Sequence, residues 1–296
     1  MEINPINKTY FNLAGIVPVA GQKVDFDFPW HDCLQPIGKN YLAVERAVFE
    51  CAIAGCDTIW VVCPKEMQPL IRYRLGDYVV DPYIYHQSYT FANYPKKKEI
   101  AIYYVCVHPK DVDRRDSLAW SIIGGAIRAY WVSRKLSRWT TPDKYFVSFP
   151  YGVVSSYYLM EHRTKIRNEM PFYATFEEKS YRDGLFLPFT FDSTDFVKCR
   201  AKFRKEETRE YDSEGKRIQT QETFTGRYFT HDFVFEDVVA ENAHTVEFPW
   251  YYDITTWDNL KKWLSSEYSL DKPNDLLLSY SEWNPIGVNN DDDEEE

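Results

Sequence analysis

Phe11-Asn-Leu-Ala-Gly-Ile-Val-Pro-Val-Ala-Gly21 is an apolar run closed by a glycine, and Thr58-Ile-Trp-Val-Val-Cys63 is a second, shorter and β-branched. Runs of this kind predict strands buried on both faces, as in a parallel sheet. Residues 22 to 39 between them read as irregular, punctuated by Pro29, Pro36 and Gly38. A helix follows, with Ala43, Val44, Ala47, Val48, Cys51 and Ala52 at helical spacing, Asn40 as its cap and Gly55 as its stop. After the second run, Pro64 opens another predicted helix as a first-turn proline, ending at Leu75 before Gly76. The first 80 residues therefore read strand, loop, helix, strand, helix.

Working outward, Glu99 to Val107 predicts a third strand, Asp113 to Leu136 a long helix with Leu118, Ile122, Ala126 and Ala129 on one face, and Tyr145 to Phe149 a fourth strand. Such alternation implies an α/β fold, a three-layer Rossmann-like and mostly parallel sheet. The pattern changes after about residue 165. Residues 170 to 247 alternate apolar and polar, as in Arg227 to Glu236, which predicts antiparallel strands. Lys202 to Thr223 reads as a charged hairpin turning at Asp212-Ser-Glu-Gly215. Residues 246 to 252 read as a strand, and Thr256 to Glu267 as a helix with Leu260, Trp263 and Leu264 inward. The expected organisation is a core at 1–165, a β-rich insertion at 166–245, a return strand and helix at 246–281, and an acidic disordered tail at 282–296.

The chain has 296 residues, 44% of them apolar and 17% aromatic, enough for one large core. Its formal net charge of −10 argues against nucleic acid as a partner, since such binding needs a basic surface. Asp291 to Glu296 are all acidic and read as a solvated tail. No apolar stretch of about 20 residues exists to span a membrane, and Met1 to Tyr10 lack the pattern of a secretion signal. The six cysteines form no C-x-x-C pair and read as reduced core residues, which places the chain in the cytoplasm.

Three N-terminal segments resemble the sugar-nucleotidyltransferase family: Ala14 to Gly21 as the first strand and the start of a glycine-rich loop, Leu34-Gln-Pro-Ile-Gly-Lys-Asn40 with the helix after it, and Asp57 to Cys63 as the second strand. Asp116-Ser-Leu-Ala-Trp-Ser-Ile123 is similar to the opening of the helix beside the base, Tyr145 to Tyr151 to the strand that ends in a metal-binding aspartate, and Trp250 to Leu260 to a late aspartate-bearing element. The resemblance covers roughly residues 11–155 and 246–265. It implies a nucleoside triphosphate or nucleotide-sugar as ligand, with Ala20, Gly21, Gln22, Arg115 and Ser117 against the nucleotide. It also implies Lys23 and Asp253 as catalytic residues, with Asp253 as ligand to Mg²⁺.

The departures fall on charged positions. Gln22-Lys23-Val24 replaces a second glycine and an arginine, so Lys23 alone supplies the basic group. Asp32 stands where the family has a lysine, and Pro150 or Tyr151 where it has an aspartate. Transfer of a nucleotide to a sugar phosphate gathers negative charge as pyrophosphate leaves, so such groups carry the catalysis, with Mg²⁺ on hard oxygen ligands. Each residue also has a structural role open to it: Gly21 a tight turn, Lys23 a surface charge, Asp253 a cap near Thr255, and Arg114, Arg115 and Ser117 a solvated helix start with Asp116 as cap. His31 and Asp32 read as loop surface or an acid–base pair, and His231-Asp232 as strand neighbours on opposite faces. Three readings follow: a nucleotidyltransferase, a glycosyltransferase using a nucleotide-sugar, or a lapsed relative used for binding, in assembly with a partner or as a homo-oligomer.

Overall fold

The computed structural model describes residues 11–21, 30–88, 98–112, 117–205, 229–238 and 243–273. One eight-stranded sheet organises them. Its strands are β1 (Leu13–Pro18), β2 (Thr58–Cys63), β3 (Tyr78–Val80), β4 (Glu99–Cys106), β5 (Lys144–Val147), β6 (Phe172–Thr175), β7 (Phe189–Asp192) and β8 (His244–Glu247). Their order is β8-β6-β7-β5-β1-β2-β4-β3. Six run in one direction; β3 and β7 run against their neighbours. The fold is α/β with a mostly parallel, Rossmann-like sheet, as the two apolar runs require. β1 is buried along its whole length and pairs with β2 from Ala14↔Thr58 to Pro18↔Val62 and with β5 from Leu13↔Lys144 to Ile16↔Val147.

Helices α1 (Ala43–Ala54), α2 (Gln68–Leu75), α3 (Leu118–Leu136), α4 (Ser193–Lys205) and α5 (Trp257–Leu264) complete the frame. α1 and α3 cover opposite faces of β1. A side chain at Gly15 would lie 2.8 Å from Cys51 of α1, so the missing side chain lets that helix approach the sheet. The next residue, Ile16, points the other way and meets α3 at Gly125.

Several expectations move. α1 starts at Ala43, and Asn40 is not its cap: Asn40 sits at φ 53° in the turn joining the paired segments Pro36–Gly38 and Tyr41–Leu42. The first turn is closed instead by Glu45, whose carboxylate accepts from Leu42 N–H at 2.8 Å. Gly55 does end the helix, at φ 87°. Pro64 lies in a turn ahead of α2, which begins at Gln68. The antiparallel edge strand β3 was not foreseen; it is only three residues long.

The stretch expected as an insertion adds strands to the core sheet: β7 pairs with β5, and β6 with β7. His231–Phe235 is helical, not a strand. His231, Val234 and Phe235 are its buried residues, an i, i+3, i+4 set inside a run that also alternates. Lys202 belongs to α4, so the expected hairpin cannot begin there; the rest of it, through residue 223, lies outside the described residues, as does the acidic tail. In α5, Leu260 and Trp263 face inward while Leu264 is 60% exposed, because only the first two share the buried face. No helix among the described residues is long and apolar enough to cross a membrane.

Candidate functional site

The chain steps from β1 to β2 and β4 on one side, then to β5 on the other side of β1. The carboxyl ends of β1 and β5 thus flank the point where the strand order reverses, the usual ligand position in open α/β sheets. Directly after β1, Val19 N–H and Ala20 N–H both donate to the Val62 carbonyl, at 2.8 and 2.9 Å. The Ala20 carbonyl accepts from the Ser121 hydroxyl at 2.5 Å. Gly21 adopts φ 84°, and a Cβ there would fall 2.5 Å from the Ser117 carbonyl oxygen and 2.7 Å from Leu118 N. Glycine is therefore needed twice, for the left-handed backbone and for the close approach. Ser117 caps α3, its hydroxyl accepting from Trp120 N–H at 3.2 Å.

The structure thus brings Ala20, Gly21 and Ser117 together. Gln22, Lys23, Arg114, Arg115 and Asp116 lie outside the described residues. Asp253 lies farther along the same edge, paired with Gly152. Tyr151 links it to β1: its hydroxyl donates to the Val19 carbonyl at 2.8 Å, and its carbonyl accepts from Ile254 N–H at 2.9 Å. Tyr151 is fully buried, and burial, with the charges of Cys33 and Asp32 added, pushes its phenol well above the usual range. A buried, neutral ring therefore sits between the turn after β1 and Asp253.

Asp253 Oδ1 accepts from Thr255 N–H at 2.8 Å and from the Thr255 hydroxyl at 2.7 Å, while Thr256 caps α5. Among the described residues no three His, Cys, Asp or Glu side chains gather closely enough to hold a metal. Mg²⁺ needs fewer protein ligands than that, often one or two carboxylates with substrate phosphates supplying the rest. Asp253, half-buried and with Oδ1 held by Thr255, is the carboxylate that such a mode would use.

Asp32 is fully buried, not a surface residue, and opens the turn Asp32–Leu34. His31 Nδ1 accepts from Cys33 N–H at 3.3 Å, and burial holds its imidazole below the usual range. His231 is buried too, its ring 5.1 Å from that of Phe149 and its Nε2 3.3 Å from the Leu185 carbonyl.

A buried ionic network supports this edge and was not foreseen. Arg46 pairs with Glu50 one turn along α1, both 1% exposed. Arg46 Nη2 donates to the Phe149 carbonyl at 2.6 Å, and Glu50 accepts from the hydroxyls of Ser148 (2.5 Å) and Ser156 (3.2 Å). Burial raises the Glu50 carboxyl, opposed by Arg46 and the serines. The signal was Arg46 and Glu50 four apart within a helix buried along its length, whose one other charged residue, Glu45, lies in its first turn. Beside the turn, a cleft of about 380 Å³ lies between α3 and the end of β4, with Val62 and Ser121 at its inner end.

No protein-family profile matches the chain, and no curated protein matches it. Solved structures do resemble it. A structure described as a glucose-1-phosphate thymidylyltransferase from Bacillus anthracis, in complex with a sucrose, is 12% identical. The match covers 88% of this chain and 98% of that one, with a TM-score of 0.48. The 4-diphosphocytidyl-2C-methyl-D-erythritol synthase of Anaerococcus prevotii is 10% identical over 86% of this chain and 94% of its own, with a TM-score of 0.46. Likeness of this strength assigns neither activity nor ligand; the fold rests on the strand order and register above.

Proposed function

We propose that the chain binds a nucleoside triphosphate or nucleotide-sugar at the carboxyl edge of its parallel strands and transfers the nucleotide to a sugar phosphate, releasing pyrophosphate. One observation carries the reading: a left-handed glycine after the first strand is pressed onto the start of a long helix at the reversal point of the sheet. Backbone turns and helix starts of this kind favour phosphates. Ala20 N–H is committed to Val62, so the phosphate-facing amides would come from Gly21 onward. Lys23 would neutralise the leaving group, and Gln22 and Arg115 would contact the nucleotide. Asp253 would be the protein carboxylate for a Mg²⁺ brought in on the phosphates, and that ion would stabilise the charge of the departing pyrophosphate.

Thermal melting with each nucleoside triphosphate, with and without Mg²⁺, tests binding; ligand at 100 times its Kd stabilises by about 2.7 kcal/mol. Pyrophosphate release with a panel of sugar phosphates tests transfer, and no melt shift with any nucleotide or nucleotide-sugar would end the reading. A second reading, a lapsed relative that keeps the fold for binding or assembly, is supported by the sequence at the end of β5, where the resemblance expects an aspartate at Pro150 or Tyr151 and neither is acidic. Nucleotide binding without pyrophosphate release under any condition would select it.

A further inference from the structure

The cleft between α3 and the end of β4 has a chemistry of its own. In a chain of net charge −10, it gathers Arg128 of α3 and Arg200 of α4 against the one acid Asp111. Neither arginine has a hydrogen-bond or ion-pair partner among the described residues. A guanidinium presents a planar fork of donors that matches phosphate and carboxylate, so two of them on one cleft favour an anion.

Apart from His108 and Ser121, the rest of the lining is apolar. Trp120 and Trp131 lie eleven residues apart, three turns along the same side of α3, and Trp131 is 53% exposed. Gly124 lies between them, and a Cβ built there meets nothing within 4 Å, so the space above that turn is open. An exposed indole beside an open helical turn suits a stacked ring, a contact open to any base because every base has a flat face. The volume of about 380 Å³ is at the small-ligand end of binding pockets.

We infer that this cleft binds an anion carried on a planar ring, of the size of a nucleoside monophosphate, with Arg128 and Arg200 on the anion and Trp131 against the ring. It needs no transferase chemistry and stands apart from the reading of the Gly21 turn.

The test is tryptophan-fluorescence titration of the full chain with AMP and UMP, with adenosine and inorganic phosphate as single-feature probes. Saturable quenching by AMP and UMP is expected, with either half-ligand weaker by about tenfold or more. Gly124→Leu, which fills the open turn, and the pair Arg128→Gln/Arg200→Gln should each weaken AMP by about tenfold or more while leaving the circular-dichroism spectrum unchanged. No saturable quenching up to about millimolar nucleotide overturns the inference. So does AMP binding that both variants leave intact, which would place the nucleotide elsewhere, including at the Gly21 turn. If Gly124→Leu perturbs the helix, the arginine pair decides alone.

Discussion

Arg46→Met removes one partner of the buried pair beneath the carboxyl edge. Glu50 would keep the hydroxyls of Ser148 and Ser156 but lose its cation inside a helix with no solvent access. Breaking a buried pair from one side costs about 3–5 kcal/mol. At about 2–4 °C per kcal/mol, the melting temperature should fall by roughly 10 °C. Replacing both partners, Arg46→Met with Glu50→Leu, removes the stranded charge but orphans two hydroxyls and the Phe149 carbonyl, each at about 1–3 kcal/mol. The double variant should therefore be less stable than the parent by less than the sum of the two single losses. A double-mutant cycle by urea unfolding measures the coupling, expected at about 2–3 kcal/mol. Single variants within about 0.5 kcal/mol of the parent, or strictly additive losses, would refute the view that the pair is buried and coupled.

Gly21→Ala should destabilise the chain by about 2–4 kcal/mol, since the left-handed backbone alone costs about 1–2 and the new Cβ meets Ser117 and Leu118 backbone; a melting temperature equal to the parent's would contradict that packing. His231 is held below 6.5 by burial, so the folded state favours the neutral ring. Its contribution is complete above the unfolded value and is lost as pH falls from about 6.5 through the lower folded value, and His231→Phe should flatten that part of the stability–pH curve. Burial pushes the Cys63 and Cys199 thiols up to about 12, while Cys106 is partly exposed. Peptide mapping after brief alkylation should show modification at Cys106 and none at Cys33, Cys51, Cys56, Cys63 or Cys199. Leu264→Glu should change stability by no more than about 0.5 kcal/mol, an outcome that the inward placement expected from helical spacing would not give.

The parallel centre of the fold was legible because burial on both faces leaves unbroken apolar runs, as at Leu13–Pro18 and Thr58–Cys63. Gly21 was legible as a turn, but the cap of α3 was expected one residue early, at Asp116, and falls on Ser117. The helix at His231–Phe235 was not, because five residues satisfy both an alternating and an i, i+3, i+4 pattern. Tyr151 and the Arg46–Glu50 pair were hidden for another reason. Burial of a polar group depends on partners distant in sequence: Val19 for Tyr151, and Ser148 and Ser156 for Glu50. Local pattern carries no record of them.

Amide hydrogen exchange of the full chain, with and without a saturating nucleoside triphosphate and Mg²⁺, bears most directly on the nucleotide site. Slowed exchange concentrated at the turn after β1 and at residues 117–119, ahead of the cleft lining that begins on α3 at Trp120, is the predicted result. A ligand that binds yet protects only segments away from that turn would contradict the assignment.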